Sequence, residues 1–215
     1  MTTATLYETI QRIAQEELRR QQTAALATVQ ESHPHSSDGD TDNYACSVVL
    51  RDTGLVLNQV PVATSRIGHV SIPHPGDLVL VQFVGGDLNA PVITGSFYTD
   101  QTRPPVSQEN QSLWQLPAGA DSAVRLELKG DSTREIQLQV GDACVVRLVD
   151  DATVVSVDVD GGQAVVQIDR NGDVKVTSNA NLELEANAIT LKAQSEMSLE
   201  AGGNIKIKGA VVNIN

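Results

Sequence analysis

Few residues in this chain have types and spacing that could do chemistry. The four histidines are His33, His35, His69 and His74, and only His33-Pro34-His35 forms a close pair. A pair alone makes no metal site, because metals want further Cys, Asp or Glu ligands held in fixed geometry. The Ser-rich surroundings (Ser32, Ser36, Ser37) offer no such frame, so the pair reads as part of a solvated loop. Asp38, Asp40 and Asp42 with Gly39 resemble the start of a calcium loop, but the position that should supply a bidentate Glu is Val49. Gly85-Gly86-Asp87 and Gly202-Gly203-Asn204 lack the Gly-Lys-Ser/Thr of a phosphate loop and read as turns. The carboxylate pairs Asp150-Asp151 and Asp158-x-Asp160 would need a pocket that shifts their pKa values before they could act as acid and base. Cys46 and Cys144 lie far apart and read as small buried hydrophobes rather than a disulfide. No nucleophile with a base beside it stands out. The expectation is a protein that is not an enzyme, with no catalytic residue, no metal and no cofactor.

The elements that would position any site are written in the composition. The 215 residues are 40% hydrophobic but only 3% aromatic, and 15 basic against 27 acidic residues leave a formal charge of −12. Phosphate-tracking surfaces need an excess of Lys and Arg, so the acidic balance argues against nucleic-acid binding. No apolar run approaches the roughly 18–20 residues needed to cross a bilayer. The first residues, MTTATLYETIQRIAQEE, carry acids where a signal peptide needs a basic start and an apolar core. Synthesis in the cytoplasm without a signal peptide is therefore expected.

Four segments follow one another. Residues 1–23 form an N-terminal helix: Leu6, Ile10, Ile13, Ala14 and Leu18 recur at spacings of three and four, Thr5 and Glu8 fit a capping box, and Arg19 and Arg20 suit the last turn. Residues 24–100 hold short β-rich runs at 25–29, 44–51, 55–61, 68–72, 78–84 and 92–98, broken by turn-formers such as Asp52-Thr53-Gly54. That density of strands without helices predicts a small antiparallel barrel, with a mobile loop over 28–43. Residues 101–121, with Pro104, Pro105 and Pro117, read as a linker.

Residues 122–215 carry an internal repeat. The pairs Leu182/Leu184, Ile189/Leu191, Met197/Leu199, Ile205/Ile207 and Val212/Ile214 begin seven, eight, eight and seven residues apart, and Val174/Val176 and Val166/Ile168 continue them upstream at eight. Less regular runs reach back through Val155, Val146 and Ile136 to Leu126. Asn, Gly, Asp and Ala fill the gaps, while Glu183, Glu185, Thr190, Lys192, Glu200, Lys206 and Lys208 take the alternate positions. Alternation puts both members of a pair on one face of a strand. Two apolar side chains at about 1.5–3 kcal/mol each fall short of the cost of ordering eight residues at about 1–2 kcal/mol apiece. The repeat makes sense if three chains wind round one axis into a triangular prism. The expected trimer core is those seven pairs, Val166 through Ile214. A β-sandwich would use longer strands with larger side chains, and a single-chain solenoid would need longer coils.

The middle segment carries a family resemblance. Ile72-Pro73-His74-Pro75-Gly76-Asp77-Leu78-Val79-Leu80-Val81-Gln82-Phe83, then Gly85-Gly86-Asp87, then Ala90-Pro91-Val92-Ile93-Thr94-Gly95-Ser96-Phe97-Tyr98 resembles the OB-fold of phage baseplate assembly protein V and related spike proteins of contractile injection systems. Tyr7 to Arg20 resembles the helix that opens those proteins, and the octads are similar to their trimeric β-helix. The resemblance implies a mainly β chain: a helix, a hub-facing OB barrel and a C-terminal triple-stranded β-helix, intertwined as a homotrimer. It implies the central spike of a contractile tail, assembled into a phage tail or tail-like injection particle and thrust transiently into a target membrane. Larger relatives carry a lysozyme domain between barrel and prism, for which residues 101–121 leave no room. Type VI relatives fuse hub domains ahead of the barrel, so here a separate hub protein is implied. Some short phage spikes end in a His-x-His iron site, and no His stands near Val211-Val212-Asn213-Ile214-Asn215. A blunt end is implied, with Asn213, Ile214 and Asn215 docking a PAAR-type tip protein.

Two other functions compete. An OB-fold binding module for single-stranded nucleic acid on a trimerising stalk would need exposed aromatics over a basic groove, and residues 24–100 hold only Tyr44, Phe83, Phe97 and Tyr98 with Arg51 and Arg66. A polysaccharide-cleaving tailspike would need clefts rich in Trp and Tyr, and no aromatic follows residue 121.

Overall fold

The computed structural model describes residues 3–20, 23–118 and 123–213, with the side chains of the first helix described for residues 6–15. Helix α1 spans Thr3–Arg20. Its described apolar stripe, Leu6, Tyr7, Ile10 and Ile13, is exposed. The expected Thr5 cap, Leu18, Arg19 and Arg20 have side chains outside the described set.

The barrel follows, built from β1 (Ala24–His33), β2 (Ala45–Leu50), β3 (Val56–Pro61), β4 (Leu78–Phe83) and β5 (Pro91–Phe97). All pairs are antiparallel in the order β3-β2-β1-β4-β5. The two outer strands then meet: Val62 and Ile93 form a parallel bridge, and the Ala63 amide donates to the Ile93 carbonyl at 2.8 Å. This bridge draws the two outer strands together at one end, while Val56–Gln59 of β3 and Pro91–Val92 of β5 line an open cleft between them. The interior is filled mainly by β-branched residues: Val29, Val48, Val60, Val79, Val81 and Ile93, with Leu50 and one ring, Phe83. Each buried side chain contributes about 1.5–3 kcal/mol, and their stiff χ1 suits a pleated surface. Ala25 and Ala27 of β1 face the same core.

Two expectations for this segment are corrected. Residues 68–72 are not a strand: the His69 amide closes a turn on Arg66, the Ser71 amide donates to the Tyr44 hydroxyl at 2.6 Å, and Gly68 has φ 94°. Ile72 still packs against the core. The loop expected over 28–43 is shorter, because β1 runs on to His33, pairing it with Ala45 across a bulge between Val29 and Glu31.

A second sheet covers 111–178. Its strands are β6 (Gln111–Leu116), β7 (Val124–Lys129), β8 (Glu135–Val140), β9 (Cys144–Val149), β10 (Thr153–Val159), β11 (Ala164–Asp169) and β12 (Val174–Ser178). They form a seven-stranded antiparallel meander in sequence order. Two differences from expectation stand here. Strand β6 lies inside the segment read as a linker, because Ser112, Trp114 and Leu116 alternate with polar residues despite the flanking prolines. And the runs from Leu126 to Val176 pair within one polypeptide instead of winding chain against chain, since six-residue strands joined by short turns close hairpins locally. Residues 179–213 adopt no regular secondary structure, and every residue from 181 to 213 is exposed.

Candidate functional site: an uncovered apolar sheet face

The meander's register lines up its side chains in three rows across all strands. The middle row is Trp114, Leu126, Leu138, Val146, Val157, Val166 and Val176, each directly across from the next. On one side runs Ser112, Leu128, Ile136, Leu148, Val155, Ile168 and Val174; on the other Leu116, Val124, Val140, Cys144, Val159, Ala164 and Ser178. Directly paired residues share a face, so nineteen of these twenty-one positions are apolar, Ser112 and Ser178 being the exceptions. Strands six residues long at about 3.4 Å each, and seven strands about 4.8 Å apart, make a flat face on the order of 600 Å². Trp114 is 66% exposed and Val176 52%. Strands β6 to β12 make their substantial contacts only with their ladder neighbours, so no second layer covers this face.

The opposite face is mainly polar, with Leu113, Val145, Val149 and Val165 among its residues. Glu127, Gln137, Arg147, Ser156, Gln167 and Lys175 stand in its central row. Arg125 reaches the Glu127 carboxylate at 3.3 Å, and Lys129 lies 3.5 Å from Glu127 and 2.9 Å from Glu135. Arg147 joins at 3.5 Å from Glu135 and donates to Gln137 at 2.9 Å. The hydrogen bond to Glu135, with the Glu127 charge nearby, raises the Lys129 pKa. One face is therefore mainly polar and ion-paired, with Glu127 buried among its partners, and the other mainly apolar and exposed.

The residues singled out for chemistry fall into structural roles. His33 and His35 do not converge: His33 sits on β1 with its Nε2 2.9 Å from the Ser47 hydroxyl, while His35 Nδ1 lies 2.7 Å from Asp40. Asp40 also accepts the amides of Ser36 and Ser37 at 2.6 and 2.8 Å. Desolvation alone would raise its pKa; the hydrogen bonds from Ser37, His35 and Ser36 outweigh it and hold the carboxyl well below the usual range. Asp42 receives Gln59 instead, so the three aspartates share no centre. Among the described residues no group of three or more His, Cys, Asp and Glu converges as a metal would need.

The Pro-His-Pro-Gly-Asp run is a turn: Asp77 accepts the His74 amide at 2.8 Å, and Gly76, at φ 95°, donates its amide to Val29. Asp87 caps its own turn through Asn89. Asp158 accepts the Gly162 amide at 2.8 Å, and Asp150 binds Arg170 at 2.6 Å and Arg134 at 3.5 Å. Both cysteines are free; Cys46 is buried, and burial pushes its thiol pKa up, whereas Cys144 is half-buried in the apolar face.

Of the expected trimer-core residues, Val166 and Ile168 lie on β11 and Val174 and Val176 on β12, all on the apolar face. Leu182, Leu184, Ile189, Leu191, Met197, Leu199, Ile205, Ile207 and Val212 are exposed outside regular structure. Of the expected tip residues Asn213 is exposed, and Ile214 and Asn215 lie outside the described residues. Sequence reasoning missed Trp114 and the Arg134–Asp150–Arg170 cluster. The alternation of Gln111–Leu116 could have shown the first; nothing local could have shown the second.

Residues 52–98, from the β2–β3 turn to the end of β5, match the family model described as the type VI secretion system/phage-baseplate injector OB domain. That match takes in β3, β4 and β5 of the barrel and supports an OB domain of the baseplate-injector type over those residues. No curated protein matches the chain.

Proposed function

We propose that three copies of this chain pack the apolar faces of their β6–β12 sheets around one axis, and that the trimer is the central spike of a contractile-tail baseplate. The observation that carries this reading is the uncovered face with nineteen apolar positions on a sheet whose other side is an ion-paired, mainly polar surface. A single-layer sheet needs a second layer to bury its apolar side. Three sheets closed into a triangular prism cover one another completely. The exposed octads beyond residue 179, with two apolar residues per repeat, then continue the same axis as strands supplied in turn by each chain.

In this arrangement the backbone ladders run along the shaft, and axial load compresses them together instead of peeling one strand away. The barrel, an injector OB domain, joins a separate hub protein. The far end, around Asn213, seats a PAAR-type tip protein. Sheath contraction supplies the force that pierces the target envelope. The role is mechanical, with no catalysis asked of the chain, and the protein works within a phage tail or tail-like injection particle. No helix among the described residues is long and apolar enough to span a bilayer.

The test is immunogold labelling of particles assembled with an epitope-tagged copy of the chain. Label confined to the baseplate end of the tail supports the spike. Label along the sheath, or particles that assemble and inject normally without the chain, removes it.

A further inference from the structure

The meander has two unlike long edges, and their chemistry specifies how copies meet. One edge carries the turns β7–β8, β9–β10 and β11–β12, and the other the turns β8–β9 and β10–β11. On the first edge stand Arg134 and Arg170, with side chains 78% and 60% exposed, both held against Asp150. On the second stand the exposed Asp142 and Asp160. Among the described residues every cation in these turns lies on the first edge. Acids occur on both: Asp131, Asp151 and Asp173 share the first edge, where Asn110 binds Asp131 and the Ala152 amide binds Asp151.

Threefold packing of identical sheets with one face inward leaves no choice at the corners. The first edge of each sheet must meet the second edge of the next, which is a heterologous contact, whereas a twofold sandwich would set like edges in symmetric pairs. Resting on the trimer reading above, we propose that the prism's three corners are ion-paired seams, with Arg134 and Arg170 of one copy facing Asp142 and Asp160 of its neighbour. The levels agree. The β7–β8 turn bearing Arg134 is one strand from the β8–β9 turn bearing Asp142, and the β11–β12 turn bearing Arg170 is one strand from the β10–β11 turn bearing Asp160. One strand spacing is about 4.8 Å, which an extended Arg side chain spans. Asp150, between the two arginines, holds both guanidinium groups at the edge while leaving donors free, since a guanidinium has five. An acidic chain that must trimerise gains from placing its turn cations where acids of the next copy arrive.

Cross-linking of the full chain tests the seam. In a Cys144→Ala background, Thr133→Cys and Asp142→Cys are made singly and together and treated with a short bis-maleimide; the buried Cys46 is out of reach. The double variant should run as a covalent trimer on a denaturing gel, and each single variant as a monomer. Dimers from either single variant would mean that like edges meet, and the seam is wrong. A particle of trimer mass that the double variant does not cross-link would also overturn it. A particle that is not a trimer at all before cross-linking would instead sink the reading on which the seam rests. As a charge test, Arg134→Glu with Arg170→Glu should weaken the trimer at low salt, raising the protein concentration at which it dissociates, with the deficit shrinking as added salt screens the repulsion, and adding Asp142→Arg with Asp160→Arg should restore it. No restoration would contradict the pairing.

Discussion

Trp114 stands directly across from Leu126 at the start of the meander, and both point into the same uncovered face. Four strands further on the same row has narrowed to Val157, then to Val166 and Val176. Trp, Leu, Leu and then four Val make a face that is bulkiest near the barrel-side strand and slimmest towards the octads. A prism closed on this row tapers in that direction.

Trp114 is the chain's one tryptophan, so its fluorescence reports the face directly. In the assembled protein its emission should be blue-shifted, and dissociation should move it to the red as the 66% exposed ring of the single chain meets water. Emission at the solvent-exposed position in the native particle would show that the face stays uncovered.

Leu138 lies in the middle row, which the proposed threefold packing would set nearest the axis. Leu138→Asp would place three carboxylates at one level without partners, and burying an unpaired charge costs several kcal/mol. Light scattering should find monomers. Leu191→Asp, in the octads, should likewise prevent a complete trimer, and an intact, heat-stable trimer of that variant would count against the octads' part in it.

Ile93 is 1% exposed and sits where β5 meets β3. Ile93→Ala removes packing at the barrel's closure and should cost about 2–5 kcal/mol. Urea denaturation followed by circular dichroism measures this; a cost below about 0.5 kcal/mol, the range of surface changes, would show that the closure is not packed as described.

Asp40 ties the 34–43 loop through Ser36, Ser37 and His35. Its folded pKa lies below the unfolded value of about 3.9, so the loop's stabilisation is complete above that value and is lost as pH falls through the folded pKa. NMR titration of the Asp40 carboxyl should give a midpoint below that of ordinary aspartates, and Asp40→Asn should broaden the Ser36 and Ser37 amides at neutral pH. A normal midpoint would mean that the loop is open in solution.

How far the sequence revealed this structure depends on whether the determining contact was local. The barrel strands were legible because Val79 and Val81 alternate with polar or outward residues and glycine turns punctuate them. Gly68 to Ile72 misled because the Ser71 amide donates to the hydroxyl of Tyr44 in another segment instead of to a strand partner, which no period reports. The alternation after residue 122 was visible, but whether a run such as Val166-x-Ile168 pairs with its own hairpin or with another chain depends on turn closure, not on the pattern. Strand β6 was hidden by its flanking prolines. The Arg134–Asp150–Arg170 cluster arises only once the register brings three separate turns to one edge.

Multi-angle light scattering of the purified full chain tests the central claim most directly. A chain of 22.9 kDa should elute as a particle of three times that mass, about 69 kDa, at all but the lowest concentrations. A monodisperse monomer of 22.9 kDa, or a dimer of twice that, would contradict a threefold prism.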